Sequence, residues 1–390
     1  MPESAGVPIM HVITGLPTGG AQMMLLKLLR ATDYERWAPV VVSLQDRGDV
    51  GDQIESLGVP LHALEVRASL PNPAAVLSLR DQVLRYRPRL IQGWLPHGNL
   101  AALTARMVGR GRPRVVWNVR NILSPEHKKI TAAVTRIGAA FSGRVDKVVY
   151  NSQRAARQFE GLGYAPHRTE VIPNGFDTDE FVPSQTARAA LRRRLRCNDS
   201  TILVGLIGRF HPIKDHRNFL RAATLLCARF PQPRLVLAGA GMDSRNPTLR
   251  GWLKDAGIGS LVHLLGEVED VASLMAGLDI LCSSSCAEGF PNVVGEAMAC
   301  AVPCVVTDVG DSAWLVDDTG MAVPPRDPPA LANALANLIE AGPDVRQRLG
   351  QAARQRIVDE FSLSAVSARY SALYAALLAG QTTVATAAPA

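Results

Sequence analysis

Several large classes of protein are excluded by what this chain lacks. Aromatic residues are only 5% of its 390 residues, and no aromatic-rich stretch interleaves with the basic ones. Binding of single-stranded nucleic acid by base stacking therefore has little support. Six cysteines are present, but there is no C-x-x-C, and no histidine stands near the i, i+4 pairs Cys282/Cys286 and Cys300/Cys304. Cys282 and Cys304 lie in apolar, strand-like runs, so the cysteines read as small core residues of a reducing cytoplasm, not as metal ligands or disulfides. No apolar run approaches the roughly 18–20 residues that span a bilayer. The start, Met1-Pro-Glu-Ser-Ala-Gly6, has neither the basic region nor the apolar centre of a signal peptide. A cytoplasmic protein is expected, soluble or at most lying on a membrane surface.

What is present is an ordinary globular composition, 47% hydrophobic and 20% charged, at a length that favours two domains. The net charge of +7 is compatible with nucleic acid, an anionic membrane or a phosphate-bearing substrate. Short apolar runs alternate with helical spacing. Strands are predicted at 9–14, 38–44, 61–66, 90–94, 115–119 and 145–150, with helices at 22–31, 73–86 and 124–140 among them. Ile172-Pro-Asn-Gly175 breaks this pattern, and a second alternation begins at Ile202 and continues through 235–238, 262–265, 279–283 and 303–307. The fold class is α/β, with two Rossmann-like halves and ligands expected at the carboxyl ends of the strands, in a cleft between the halves. The expected boundaries are 1–175, 176–362, a final amphipathic helix at 363–380 returning to the first half, and a disordered Thr/Ala/Pro-rich tail at 381–390. The run Arg192-Arg-Arg-Leu-Arg196 reads as a solvated helix face.

The most informative segment is Glu288-Gly-Phe-Pro-Asn-Val-Val-Gly-Glu296. Its first carboxylate sits in a Gly/Pro turn after an apolar run, and its second about two turns into a helix. Such a junction offers backbone N–H groups beside carboxylate acceptors, which suits a ligand that is both polyol and phosphate. A general acid/base pair of glycosidase type is the alternative. Gly208-Arg209-Phe-His-Pro-Ile-Lys214 follows the first strand of the second half. Two cations there would neutralise a diphosphate, unless they are only surface charges on a loop. Gly19-Gly20-Ala-Gln22 opens a helix after the first strand, as a phosphate-binding turn or simply a tight one. His97, after the fourth strand, lies at the cleft side as a ligand contact or a structural histidine. Gly310, after a later strand, admits a phosphate or merely turns the chain.

Together these motifs resemble the retaining, nucleotide-sugar-dependent glycosyltransferases of family 4, with the GT-B fold of two Rossmann-like domains facing across a cleft. The resemblance covers nearly the whole chain and is strongest from Gly205 to Gly310. Arg209 and Lys214 match the family's phosphate-binding pair, and Glu288 to Glu296 its E-x7-E signature. Gly19-Gly20-Ala-Gln22 is similar to its Gly-Gly-Ala-Glu loop, with Gln22 in place of the usual Glu, which leaves an ionic role there in doubt. The resemblance implies that Arg209 and Lys214 hold the donor diphosphate. Glu288, with the backbone of Gly289, Phe290, Pro291 and Asn292, would bind the donor sugar, Phe290 and Asn292 supplying N–H groups that Pro291 lacks. Val293 and Val294 would line the nucleotide pocket, Glu296 would hold the ribose hydroxyls, and His97 would touch the transferred sugar. No metal or other cofactor is implied.

The implied reaction moves a hexosyl or N-acetylhexosaminyl unit from a nucleoside-diphosphate sugar, a UDP-sugar before GDP-mannose, to a hydroxyl of a glycan or polyprenyl-diphosphate-linked saccharide. Anomeric configuration is retained, the departing phosphate helps deprotonate the acceptor, and bacterial lipopolysaccharide or exopolysaccharide synthesis is the implied setting. Arg106, Arg110, Arg112, Arg114, Arg120, Lys128, Lys129, Arg136 and Arg144 crowd the first half. With the mixed basic and apolar stretch 127–141, they imply an acceptor face on an anionic, cytoplasmic membrane surface. Nucleic acid is not an expected partner. Competing readings are a nucleotide-sugar epimerase or phosphorylase of the same architecture, or a non-catalytic nucleotide-sugar or nucleic-acid binder.

Overall fold

The computed structural model describes residues 6–66, 73–121, 123 and 129–382. The chain divides into two compact units, one built from residues up to Gly175 together with Leu363 onward, the other from Phe176–Ser362.

The first unit carries strands β1 (Val7–Ile13), β2 (Trp37–Ser43), β3 (Leu61–Ala63), β4 (Leu90–Trp94), β5 (Arg114–Val119), β6 (Lys147–Tyr150) and β7 (Thr169–Val171). They form one sheet in the order β3-β2-β1-β4-β5-β6-β7, every pair parallel. Parallel strands covered on both faces bury consecutive residues, and β1 does so. Ile9 and Ile13 join one core cluster, while Met10 and Val12 join the other. The helix Leu363–Thr382 covers the first of these clusters with Val366, Tyr370, Tyr374 and Leu378. Their spacing of four places them on one helical stripe. Trp37 meets the Tyr374 ring edge-on at 5.7 Å and donates through Nε1 to Ser371 at 2.9 Å. His11 is buried under this face and its Nδ1 accepts from Trp94 Nε1 at 3.2 Å, and burial lowers its pKa to about 3.

The second unit carries β8 (Ile202–Ile207), β9 (Pro233–Ala238), β10 (Val262–Gly266), β11 (Ile280–Ser283), β12 (Cys304–Thr307) and β13 (Met321–Val323), in the order β10-β9-β8-β11-β12-β13, again all parallel. Along β8, Ile202, Val204 and Leu206 face one cluster and Leu203 the other. Each sheet has one point where strand order reverses, between β1 and β4 and between β8 and β11. The loops leaving such a pair of strands diverge and open a crevice for ligands.

Two expectations need correction. Arg192 is not on a solvated face. It is buried, and its Nη2 lies 2.8 Å from Asp279, which also pairs with Arg188 at 2.5 Å and accepts from Leu203 N–H. The neighbours Arg193, Arg194 and Arg196 are the exposed ones. The helix Asn292–Ala299 begins directly after Pro291, so Glu296 stands one turn into it, not two. The six cysteines are free thiols, and burial of Cys282, Cys300 and Cys304 raises their pKa, that of Cys300 to about 12.

Candidate active site

The reversal point of the second sheet gathers the strongest sequence motifs. After β8 the chain makes the short turn Pro212–Lys214, then Asp215 takes a left-handed conformation and caps the helix His216–Arg229 by accepting from Asn218 N–H. This turn is stitched to the loop after β11. Cys286 N–H donates to Ile213 O at 2.8 Å, and Ser284 Oγ donates toward the carbonyls of Lys214 at 2.9 Å and Asp215 at 3.2 Å. The stitching brings Lys214 Nζ to 2.5 Å from Glu288 Oε1. The same carboxylate oxygen accepts from Ser285 Oγ at 2.8 Å. The two side chains are only 20% and 11% exposed, so water competes poorly for this pair.

Thr307, at the end of β12, supports the loop from beneath. Its Oγ1 donates toward Ser285 O at 2.5 Å and Ser283 O at 3.3 Å. Further along, Asp311 N–H donates to Gly289 O at 3.2 Å. Gly310 has φ +61°, and a Cβ there would stand 2.5 Å from Glu288 O. The close approach explains the glycine: it lets the β12 loop pack on the backbone that carries Glu288.

Arg209 and Lys214 are not equivalent. Lys214 is committed to Glu288, whereas Arg209 is exposed and makes no ion pair among the described residues. No side chain caps the helix Asn292–Ala299, so its start is electropositive and carries N–H groups beyond the reach of the helix's own carbonyls. Phe290 and Val294 are buried. The Phe290 ring stacks on Phe176 at 6.0 Å and contacts Phe361 and Trp314, and Val294 packs in the same core. Their side chains anchor the loop, leaving their backbone as the part that can face a ligand. Pro291 is buried too, Gly289, Val293 and Glu296 are half-buried, and Asn292 is exposed.

In the first unit, Gly19 and Gly20 start the helix Gly20–Arg30, which also lacks a side-chain cap. Gln22 turns back and its Nε2 donates to Gly15 O at 3.1 Å. A carboxylate has no hydrogen to donate, so the Gln gives this loop a tie that Glu would not. His97 is the third residue of the helix Leu95–Val108 and half-buried; burial lowers its pKa, so its imidazole is neutral at neutral pH. Thr14 Oγ1, after β1, accepts from the neighbouring Gly98 N–H at 3.4 Å. Leu95 has φ +67°, a strained value for a branched residue, two positions before His97.

Arg120 is not on a basic outer face. Its guanidinium bonds Asn118 Oδ1 at 3.0 Å, Asn174 and Tyr370, and lies 5.3 Å from the Trp94 ring centre. Lys129 is exposed at the start of the helix Lys129–Phe141, and Lys128 lies outside the described residues. The triplet Asp177-Thr-Asp179 has the D-x-D pattern of some metal sites, but Asp177 Oδ1 accepts from the N–H groups of Asp179 and Glu180 and so closes a turn. Among the described residues no three His, Cys, Asp or Glu gather as a metal site. A cavity of about 650 Å³ lies at the opposite end of the second sheet, beside Arg188, Asp279 and Arg346, away from the strand ends that carry Glu288.

Sequence reasoning missed Ser284, Ser285 and Thr307. The available signal was hydroxyl residues at the carboxyl ends of two apolar strands, one set a run of three serines just before Glu288.

Two family descriptions match the chain in succession: Glycosyltransferase Family 4 over residues 18–180 and Glycosyl transferases group 1 over residues 201–341. A D-inositol 3-phosphate glycosyltransferase of Kribbella flavida is 31% identical over 225 residues, 53% of this chain and 51% of that protein. The chain thus spans about half the length of this and similar curated relatives. A putative glycosyltransferase of Bacillus subtilis, EpsF, is 24% identical over 77% of this chain and 79% of its own. Among solved structures, Anabaena HepE in complex with UDP superposes with a TM-score of 0.83 at 22% identity, covering 95% of this chain and all of that one. Two parallel α/β units with this likeness are the GT-B fold.

Proposed function

We propose that this chain, which belongs to the family 4 glycosyltransferases, moves a hexosyl or N-acetylhexosaminyl unit from a nucleoside-diphosphate sugar to an acceptor hydroxyl with retention of configuration. The observation that carries the reading is the Lys214–Glu288–Ser285 cluster at the strand-order reversal of the second sheet, beside the unpaired Arg209 and an uncapped helix start. Arg209 and the helix N–H groups suit a diphosphate, and Glu288 suits a sugar hydroxyl. Glu296 is assigned to the ribose, and His97 to the transferred sugar. In the reaction the bond from the anomeric carbon to the diphosphate oxygen breaks, the acceptor oxygen bonds the same face, and the acceptor proton passes to the departing phosphate. Arg209 stabilises the charge that develops there.

A UDP-sugar is the first choice of donor, because the structures similar to this chain include HepE with UDP-glucose; GDP-mannose is second. A thermal-shift panel of UDP-glucose, UDP-galactose, UDP-N-acetylglucosamine and GDP-mannose tests this. At a hundredfold excess over Kd the true donor raises Tm by roughly 5–10 °C for a unit of this size. No shift with any of them would overturn the reading, and product formed without an acceptor would indicate an epimerase instead.

For the acceptor, a lipid-linked saccharide at an anionic membrane surface, as in surface-polysaccharide assembly, is favoured by one feature of the first unit. Ile130, Ile137 and Phe141 lie 56%, 49% and 37% exposed at seven- and four-residue spacing on one helix, beside exposed Lys129 and Arg136, and Met107 is 77% exposed on a neighbouring helix. A basic helix with an apolar stripe binds anionic bilayers in the plane of the interface. No helix among the described residues is long and apolar enough to cross a membrane. The protein is expected to float with phosphatidylglycerol vesicles and not with phosphatidylcholine ones, and the double change Ile130→Asp/Ile137→Asp to abolish flotation. Equal flotation with both lipids, or none, removes the membrane from the proposal. A phosphorylated polyol is then the acceptor class to try, on the example of the inositol phosphate enzymes.

A further inference from the structure

Glu288 is held by its surroundings in an asymmetric way. Its Oε1 accepts from two donors, the Lys214 ammonium and the Ser285 hydroxyl, while Oε2 has no hydrogen-bond partner among the described residues. A carboxylate only 11% exposed with one oxygen unmatched has acceptor capacity that a ligand can fill. Ser285 is itself 1% exposed, too deep to touch a donor, and Thr307, fully buried, fixes its carbonyl. The other serine of the loop, Ser284, serves the backbone of Lys214 and not the carboxylate.

We propose that Ser285, seated by Thr307, is a positioning residue that orients the Glu288 carboxylate so that Oε2 is the oxygen offered to a hydroxyl of the donor sugar. The proposal rests on the donor reading above and adds to it a reason for two anchors on one oxygen. Lys214 is the anchor that a diphosphate competes for, since a phosphate oxygen and Glu288 Oε1 both want the same ammonium. Ser285 is neutral and buried, so an arriving diphosphate does not draw it away. Its hold on Glu288 persists when the donor is bound, which is when the orientation of Oε2 matters.

The test separates sugar recognition from diphosphate recognition. Calorimetric titration of the full chain uses UDP, which lacks the sugar, and the UDP-sugar or GDP-mannose that gives the largest thermal shift, with GDP replacing UDP in the latter case. Ser285→Ala is expected to weaken the nucleotide sugar about tenfold or more, the loss of one hydrogen bond to a charged group, while the free diphosphate changes less than about twofold. Ser285→Thr, which keeps the hydroxyl, restores most of the affinity. Thr307→Val moves the same ligand in the same direction by a smaller factor, and it keeps the idea testable if Ser285→Ala does not fold. Equal weakening of both ligands would mean that Ser285 only holds the loop together, and unchanged affinity for both would mean that it does nothing for the site; either result overturns the proposal. A parent protein that binds neither ligand overturns the donor reading itself, and this proposal with it.

Discussion

Glu288→Ala is expected to lower kcat/KM for transfer by about 10²–10³-fold, with most of the loss in kcat. Two effects combine. The sugar loses a desolvated, charged acceptor, and such groups are worth more inside a shielded site than in water. Lys214 also loses the partner that holds its ammonium at 2.5 Å, so its charge is no longer fixed for the phosphate. Glu288→Gln keeps the shape and removes the charge. An amide oxygen in the Oε1 position still accepts from Ser285 and Lys214, but without the charge attraction, and an NH2 group then stands where Oε2 would accept from the sugar; a loss of roughly 10–100-fold is expected. The same pair of variants addresses Glu288 as covalent nucleophile. An amide cannot form the glycosyl ester that a carboxylate can, so on that mechanism Gln and Ala would be equally dead. Steady-state rates with the preferred nucleotide sugar decide it. An Ala variant within about threefold of the parent would end the assignment of Glu288 to the donor.

The two cations then divide the work, in a way their spacing in sequence does not suggest. On the proposed donor reading, Lys214 would act through Glu288 as well as on phosphate, because the two side chains are already tied to each other. Arg209, exposed and unpaired among the described residues, can turn its planar fork to two phosphate oxygens at once. Loss of Arg209 is thus expected to weaken phosphate binding alone, whereas loss of Lys214 is expected also to disorder the sugar end.

Much of the fold was legible because parallel strands buried on both faces write themselves as unbroken apolar runs. Ile202–Ile207 is one such run, and it sits where the sequence placed it. β7 and β13 escaped because Thr169-Glu-Val and Met321-Ala-Val are three residues long, lie at sheet edges and run straight into proline-containing segments, whereas the equally short edge strand β3 lies within the longer run Leu61–Val66. Arg192 was hidden by its neighbours. In a run of four arginines only one faces inward, beside Leu191 and Leu195, and the buried Asp279 that selects it is 87 positions away. Arg120 misled for the same reason, since a basic-rich segment gave no hint that Asn118, Asn174 and Tyr370 would surround one of its members. The charged residues of the site were found through their motif, but the contact between them was not. Lys214 and Glu288 are 74 residues apart, and only the pairing of β8 with β11 brings them together.

Gly310→Ala is expected to abolish measurable nucleotide-sugar binding, a loss of at least about a hundredfold, although residue 310 contributes no side chain to the site. Two penalties act there, and a second glycine allows them to be separated. Gly310 and Gly257 both have left-handed φ values, +61° and +67°, so an L-residue at either place bears a left-handed strain of about 1 kcal/mol. At Gly257 a new Cβ meets nothing within 4 Å. At Gly310 it would stand 2.5 Å from Glu288 O and 2.6 Å from Gly289 O, distances that no real Cβ tolerates and that no rotamer relieves, because both atoms are backbone. The β12 loop must retreat, which breaks the Asp311 N–H bond to Gly289 O and frees the segment that presents Glu288. Gly257→Ala should therefore lower stability slightly and leave donor affinity within about twofold. Gly310→Ala should cost roughly 2–4 kcal/mol of stability and remove the binding. Thermal melts and titrations of the two variants check this together. Equal effects at both positions would mean that backbone strain alone matters, and that packing of the β12 loop against Glu288 does not hold the donor site in shape.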